Sequence, residues 1–219
     1  EPVLIARSTR CLVVVAPSRV AAAKALLGSR RVDVILSDDG LQHNALARDF
    51  EIAVVDSIRG VGNGFCLPAG PLREPAERLQ EVDAVLVTGL GPWMRPGAVR
   101  AVPRVGGVYR MGRSEERSLA DFSGKRVHAV AGIANPERFF SMLESAGLEV
   151  VRHAHPDHAR LRQADFEFRD KLPVFLTEKD AVKLASGIAA EIWCVALKFE
   201  FDGSGGDRLV DRVVEVISK

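Results

Sequence analysis

The sequence predicts an α/β protein with a mostly parallel sheet, followed by a smaller C-terminal α/β domain. Short apolar runs of strand length alternate with segments of helical spacing, and Gly- and Pro-rich loops follow several of the runs. The 219 residues are 47% hydrophobic and 27% charged, which suits one large or two small globular domains. The best boundary lies around residues 112–124 and divides the chain into domains 1–115 and 116–219.

Charge and cysteine content exclude several classes of protein. A formal net charge of +1 argues against general affinity for nucleic acid. Cys11, Cys66 and Cys194 are far apart and form no C-x-x-C pair, which argues against a disulfide framework, a structural zinc site or a redox motif. No apolar run reaches the roughly 18 residues that span a bilayer. Because the chain opens at Glu1 within a fold-like segment, we expect an upstream portion, which could include an anchor, to precede it.

The first half contains four predicted strands and one helix. Ser18 is placed to cap a helix over residues 19–27, and Gly28 is placed to end it. The strand lengths and spacing fit parallel strands joined by crossovers. The predicted strands are residues 12–16, 32–36, 51–55 and 84–88.

The second half repeats the alternation of strands and helices. Asn135 and Pro136 predict the start of a helix that follows a strand and ends near Gly147. A closing helix over 208–217 has apolar residues at helical spacing. The predicted strands of this half are residues 127–131, 173–176 and 192–197, and residues 105–111, just before the boundary, could form a further short strand.

The most informative motif follows the apolar run 32–36. There the adjacent carboxylates of Asp38 and Asp39 precede Gly40, and ligands gather at the carboxyl ends of parallel strands. One carboxylate could hold Mg²⁺ directly or through water while the other orients that water or an acceptor hydroxyl. The alternative is a simple turn in which an aspartate caps the next helix. Gln42 and His43 favour a substrate pocket, because a simple turn has no use for them.

A long loop over residues 59–75 is too rich in Gly and Pro for regular structure, and loops of this length are usually functional. Arg73 and Glu74 lie between Pro71 and Pro75, which stiffen the flanks. The two side chains either recognise a phosphorylated or hydroxylated ligand or form a surface ion pair of little energetic value. No G-x-x-x-x-G-K-[ST] motif follows any predicted strand, so this chain lacks the loop that cradles ATP phosphates.

Two further segments have open interpretations. His153, His155 and His158 lie among arginines near Asp157, and they either face an anionic substrate with an imidazole acting as acid or base, or form a solvated basic loop. The segment 177–180 matches a helix capping pattern, so its main role is structural. Within it, Lys179 could also meet a phosphate.

Four motifs, in order along nearly the whole chain, resemble the tetraacyldisaccharide 4'-kinase family of Gram-negative bacteria. The resemblance implies a P-loop-NTPase-like, mostly parallel sheet that here lacks its first strand and P-loop. It also implies ATP- and Mg²⁺-dependent phosphorylation of the 4'-hydroxyl of tetraacyldisaccharide 1-phosphate, at the cytoplasmic face of the inner membrane. The product, lipid IVA, is the lipid A precursor of lipopolysaccharide. The motifs are residues 37–43, 62–74, 131–140 and 177–183.

The family resemblance also implies roles for single residues. Asp38 and Asp39 match an acidic pair that holds the metal, with Asp39 also catalytic, and His158 matches a histidine that assists the catalytic base. The residues that match substrate-binding positions are Glu1, Gln42, His43, Arg73 and Glu74.

The resemblance implies that three features of the family lie before Glu1. They are the membrane-associating helix, the P-loop and the aspartate that acts as the base. No residue for binding the nucleotide can therefore be named, and we expect the isolated chain to be inactive. The rival interpretation is a non-catalytic binding module for an acylated sugar phosphate. A weaker third is an unrelated α/β nucleotide enzyme.

Overall fold

The computed structural model describes residues 2–112, 115–157, 159–184 and 191–218. The chain forms two compact units: a first unit of Glu1–Val13 with Arg104–Lys198, and a second unit of Val14–Pro103 with Phe199–Lys219. Short 3₁₀ segments occupy Ala76–Gln80, Leu119–Phe122 and Gln163–Phe166. In chain order the other elements are α1 (Pro2–Thr9), α2 (Arg19–Ser29), β1 (Ile52–Asp56), β2 (Ala84–Thr88), β3 (Val99–Arg110), β4 (Glu116–Arg117), β5 (Arg126–Ala131), α3 (Pro136–Ser145), β6 (Glu149–Ala154), β7 (Val174–Thr177), α4 (Glu178–Ala181), β8 (Ile192–Phe201) and α5 (Gly205–Ile217).

The second unit contains a parallel arrangement of β1, β2 and the start of β3. Ile52 is in register with Ala84, and Leu86 is in register with Val99. Ala53, Val85 and Val87 form a small buried cluster beneath this sheet. The carboxyl ends of β1 and β2 therefore lie side by side, and the long loops of the unit leave the sheet there.

The first unit is built on four parallel strands in the order β8, β7, β5, β6, while β4 pairs antiparallel with β3. Its core is large and aromatic. Trp193 and Phe140 are fully buried, and the rings of Phe122 and Trp193 meet edge to face at 4.9 Å. This rigid core fixes the carboxyl ends of β5 and β7.

The predicted starts of α2 and α3 are confirmed, whereas the closing helix begins at Gly205 and not at residue 208. The Ser18 hydroxyl accepts a hydrogen bond from the Ala21 N–H at 3.4 Å, and the Asn135 amide oxygen accepts one from the Arg138 N–H at 3.3 Å. Gly147 ends the turn after α3 with a φ of +86°, a region that glycine enters without strain. The capping pattern at 177–180 is also confirmed, because the Thr177 hydroxyl accepts from the Asp180 N–H at 3.2 Å.

Two predicted strands, 12–16 and 32–36, are wrong. Both segments lack strand structure, and Leu36 is 89% exposed. Their apolar composition is typical of strands, but a strand needs a neighbour for its ladder hydrogen bonds, and the described residues provide none. Asp38 and Asp39 therefore follow an irregular segment and not an interior strand.

The structure also contains elements that differ from the predicted ones. Strand 105–111 is the end of the longer β3, and β6 was not predicted, because Glu149 and Arg152 interrupt its apolar run. The units interleave along the chain, whereas the predicted domains 1–115 and 116–219 are contiguous. Helix α5 belongs to the second unit, where Leu209 is buried and Arg212 donates to the Asp83 carbonyl oxygen at 2.7 Å.

Candidate functional site

The structure brings four of the predicted site residues into one chain of contacts within the second unit. Arg73 Nη1 lies 3.1 Å from each carboxylate oxygen of Asp39. The same nitrogen lies 3.4 Å from Gln42 Oε1, and Gln42 Nε2 donates to Glu74 Oε1 at 2.5 Å. The motif around residues 38–43 and the end of the long loop therefore form a single polar cluster.

Asp38 and His43 belong to the same cluster through the backbone. Arg19, in the first turn of α2, donates from Nη2 to the carbonyl oxygens of Asp38 and Asp39, both at 2.9 Å. The His43 carbonyl oxygen accepts from Arg48 Nη1 at 2.9 Å. Two arginines thus hold both ends of the motif. Sequence reasoning missed them, because isolated arginines about twenty residues upstream or five residues downstream form no motif.

The backbone at Asp39 and Gly40 turns sharply. Asp39 has a φ of +47°, in the left-handed region that aspartate tolerates better than most residues. A Cβ on Gly40 would lie 2.7 Å from the Ser37 hydroxyl oxygen, so a larger residue here would displace the Ser37 side chain. The turn presents the Asp39 carboxylate to solvent beside Arg73, which is also largely exposed.

A second layer of charges supports Glu74. Arg78 lies 3.3 Å from Glu74 and donates to Glu51 at 2.6 Å, while Arg48 donates to Glu51 at 2.5 Å. The hydrogen bond from Arg78 is the largest effect on the Glu51 carboxyl, and its pKa is lowered despite partial burial. This network holds one oxygen of the Glu74 carboxylate, and the other oxygen accepts from Gln42.

We expect Glu51→Gln to lower the free energy of unfolding by about 2 kcal/mol, because two largely buried arginines lose their shared carboxylate. Urea unfolding at neutral pH measures the change. Since the folded pKa of Glu51 is depressed, its stabilisation is present above about pH 4.5 and is lost as the pH falls through the folded value. Glu81→Gln, at an exposed carboxylate 3.5 Å from Arg78, is the control and should have little effect. Equal losses for the two variants would contradict the supporting role of Glu51.

The loop before Arg73 is held by its own contacts. Gly62 has a φ of +60°, and a Cβ there would lie 2.6 Å from the Pro71 ring. Asn63 donates to the Ala69 carbonyl oxygen at 2.9 Å, and the Leu67 N–H donates to the Leu72 carbonyl oxygen at 2.9 Å. These contacts hold the loop in one conformation, and Arg73 and Glu74 lie near its end.

Two predicted site residues, Glu1 and His158, lie outside the described residues. Within the described ranges, no three or more His, Cys, Asp or Glu side chains are grouped so that they could hold a metal ion. Arg152, from the basic cluster, pairs with Glu137 and Glu144 at 2.7 Å. None of the described helices is both long enough and apolar enough to cross a membrane.

Sequence reasoning missed a histidine–carboxylate pair in the first unit. His128 Nε2 lies 2.7 Å from Asp170 Oδ1, and His128 Nδ1 lies 3.0 Å from His153 Nε2. Phe168 stacks on the His128 ring at 3.7 Å. The hydrogen bond from His128 lowers the pKa of Asp170, whereas burial, followed by the nearby His128 and His155, lowers the pKa of His153. The pair joins residues 42 positions apart, and no local pattern signals it.

The histidine cluster predicts a stability that depends on pH. The folded pKa of His153 is below the value of about 6.5 typical of an unfolded chain, so the unfolded state takes up its proton first. The free energy of unfolding should therefore fall as the pH drops below about 6.5 and level off below the folded pKa. His153→Gln should flatten this dependence in urea unfolding curves. An unaltered pH dependence in His153→Gln would refute the assignment.

The family model for tetraacyldisaccharide-1-P 4'-kinase matches residues 1–215. A curated tetraacyldisaccharide 4'-kinase of Hahella chejuensis is 46% identical over 218 residues, which cover 100% of this chain and 64% of that protein. The tetraacyldisaccharide 4'-kinase of Azotobacter vinelandii is 47% identical over 198 residues, 90% of this chain and 59% of that protein. The chain thus spans about three fifths of the length of these relatives.

A solved structure shows the same fold. The crystal structure of LpxK from Aquifex aeolicus in complex with ATP superposes with a TM-score of 0.64 at 22% sequence identity. The match covers 82% of this chain and 56% of the other. This likeness confirms the predicted α/β architecture with a mostly parallel sheet.

Proposed function

The chain belongs to the tetraacyldisaccharide-1-P 4'-kinase family, and we propose on this basis that it forms part of a lipid A 4'-kinase. The reaction moves the γ-phosphoryl group of ATP to the 4'-hydroxyl of a tetraacyldisaccharide 1-phosphate and gives lipid IVA. The observation that carries the proposal is the contact chain from Asp39 through Arg73 and Gln42 to Glu74. It unites two of the motifs on which the family resemblance rests.

The acidic pair fits a magnesium site. Mg²⁺ prefers hard oxygen ligands and is usually held by one or two carboxylates together with substrate phosphates. Asp38 and Asp39 would supply these carboxylates, and the Asp39 side chain is 68% exposed beside an exchangeable ion-pair partner. Bound there, the ion would neutralise charge on the transferring phosphate.

The other members of the cluster suit the acceptor. Arg73 offers a planar set of N–H donors for a phosphate or a sugar hydroxyl, and Gln42 offers both a donor and an acceptor. Glu74 is fixed by Arg78 and accepts from Gln42, so its carboxylate is oriented before any ligand arrives. Such preorganisation reduces the entropy lost on binding and helps align the reacting groups.

Roles for the two residues outside the described ranges rest on the family resemblance alone. We propose that His158 assists the base that takes the proton from the 4'-hydroxyl and that Glu1 contacts the substrate. We also propose a peripheral position at the cytoplasmic face of the inner membrane. Because the sequence has no G-x-x-x-x-G-K-[ST] motif, we expect the 219-residue chain to show no turnover by itself.

The acceptor site is tested by steady-state kinetics of the full-length protein with ATP and tetraacyldisaccharide 1-phosphate. Glu74→Gln should raise the KM for the disaccharide by about tenfold, because a charged hydrogen-bond acceptor is lost, and should leave the KM for ATP nearly unchanged. Glu77→Gln, three residues further along the chain and exposed, is the matched control. An unchanged KM for the disaccharide would remove Glu74 from the acceptor site. Tight binding of the disaccharide without transfer by the wild type would instead favour the binding module.

A further inference from the structure

Two loops of the second unit expose apolar side chains at the carboxyl ends of β1 and β2. Ile58, Phe65 and Leu67 lie in the loop after β1, and Leu90 lies in the loop after β2. Their exposed fractions are 71%, 63%, 67% and 72%, respectively. We call the surface formed by residues 57–73 and 89–98 the loop face. Large apolar side chains concentrated on one edge usually mark an interaction surface.

Hydrogen bonds and close packing join the two loops to each other. The Trp93 N–H donates to the Ser57 carbonyl oxygen at 2.9 Å, and the Gly91 N–H donates to the Ser57 hydroxyl oxygen at 2.7 Å. Gly60 has a φ of +53° and packs so closely on the Trp93 ring that a Cβ would collide with it. The exposed side chains are therefore presented on a scaffold that exists without a partner.

Phe65 and Leu67 are directed outward by a short bridge within the loop. The Leu67 N–H donates to the Leu72 carbonyl oxygen at 2.9 Å, and the Leu72 N–H donates to the Phe65 carbonyl oxygen at 3.2 Å. Leu72 is half-buried, whereas Phe65 and Leu67 remain exposed on either side of Cys66. The bridge fixes this pair as an apolar tip.

The formal charges within residues 57–73 and 89–98 are all basic. Arg59 is exposed, Arg73 pairs with Asp39 at 3.1 Å, and Arg95 is half-buried and donates to the Leu79 carbonyl oxygen at 2.7 Å. Apolar side chains interspersed with basic ones complement an anionic lipid surface, where the apolar groups enter the acyl boundary and the cations meet headgroup phosphates. A wholly soluble acceptor would require no such apolar tip.

We propose that the loop face docks on an anionic phospholipid bilayer, with Phe65 and Leu67 entering the headgroup–acyl boundary and Arg59 facing the phosphates. The inference rests on the proposed function in one respect: Arg73 ends the same loop, so a lipid-borne acceptor would reach the polar cluster directly from the membrane. Docking here is additional to any association through an upstream segment.

Co-sedimentation of the 219-residue chain with vesicles of phosphatidylethanolamine and phosphatidylglycerol tests the proposal. Phe65→Ala combined with Leu67→Ala should weaken vesicle binding by at least about tenfold, because two apolar side chains no longer enter the lipid. The matched control is Val210→Ala with Val214→Ala on α5, where the side chains are 58% and 48% exposed. This control should bind like the wild type. No ATP or acceptor is present, so a failure of docking is distinguishable from a failure of the kinase proposal.

Two further measurements keep the test decisive. Arg59→Gln should weaken binding about fivefold on anionic vesicles and should leave binding to neutral phosphatidylcholine vesicles unchanged. Phe65→Trp should add tryptophan fluorescence that brominated acyl chains quench. The fluorescence that Val210→Trp adds should not be quenched. The proposal is overturned if the wild type ignores anionic vesicles, if the Phe65 and Leu67 pair binds like the wild type, or if the α5 control weakens equally. Thermal unfolding of each variant identifies any loss of fold.

Discussion

Asp39→Asn in the full-length protein is expected to lower kcat for phosphoryl transfer by about a hundredfold or more. Asparagine keeps the size of the side chain and one oxygen for Arg73, but it removes the negative charge. The proposed site needs that charge to hold Mg²⁺, and it needs the carboxylate to balance the guanidinium 3.1 Å away. The concentration of Mg²⁺ at half-maximal rate should rise in the same variant.

Asp33→Asn is the matched control for this experiment. Asp33 lies in the same segment and is 85% exposed. It forms a loose surface ion pair with Arg31, at a distance of 3.9 Å. Its replacement should leave both kcat and the Mg²⁺ dependence at wild-type values. Turnover by Asp39→Asn equal to that of the wild type would show that the Asp39 carboxylate takes no part in transfer.

The largest effect on stability is expected at Asp180 in the first unit. Its carboxylate is fully buried and accepts hydrogen bonds from the Gly132 N–H at 3.0 Å and the Thr177 hydroxyl at 2.8 Å. Lys183 Nζ, 3.0 Å away, supplies the balancing charge. The side chain thereby ties the carboxyl ends of β5 and β7 together.

Asp180→Ala should lower the free energy of unfolding by about 3 to 5 kcal/mol, because a buried N–H, a hydroxyl and a partly buried ammonium group all lose their partner. Asp180→Asn keeps the shape and should cost less. Denaturant unfolding followed by circular dichroism measures both variants.

Asp121→Ala is the control for the loss of a helix cap alone. Asp121 is exposed and accepts from the Ser118 N–H at 3.2 Å, so about 1 kcal/mol is expected. If Asp180→Ala were no more destabilising than Asp121→Ala, the buried carboxylate would not be a main tie between the strands.

The elements that sequence reasoning predicted well are those whose signals are local. The caps at Ser18 and Asn135 lie within three residues of the groups they satisfy, and the strands Ala84–Thr88 and Val174–Thr177 are apolar on both faces. Residues 32–36 are almost as apolar, with Asp33 as the one charged residue, and are not a strand. An apolar run reports a tendency to be buried, whereas strand structure also requires a partner that the run does not encode.

In the candidate site, too, the residues that form local motifs could be predicted and the single supporting residues could not. Asp38 to His43 and Arg73 with Glu74 form compact motifs, so the sequence alone indicated both, and the structure brings Asp39, Gln42, Arg73 and Glu74 together. Arg19 and Glu51, which hold these motifs in place, are single residues without a pattern. Their roles depend on tertiary contacts across 19 or more residues, and only the fold reveals them.

The cluster around Asp39, Arg73 and Glu74 is proposed to perform phosphoryl transfer to a lipid-borne sugar. The most direct measurement is ³¹P NMR of the product after the full-length protein is incubated with ATP, Mg²⁺ and tetraacyldisaccharide 1-phosphate. One new phosphomonoester is expected at the 4' position, formed together with ADP and nearly absent with Asp39→Asn. No new phosphomonoester, or the same product at the same rate from Asp39→Asn, would contradict the proposal.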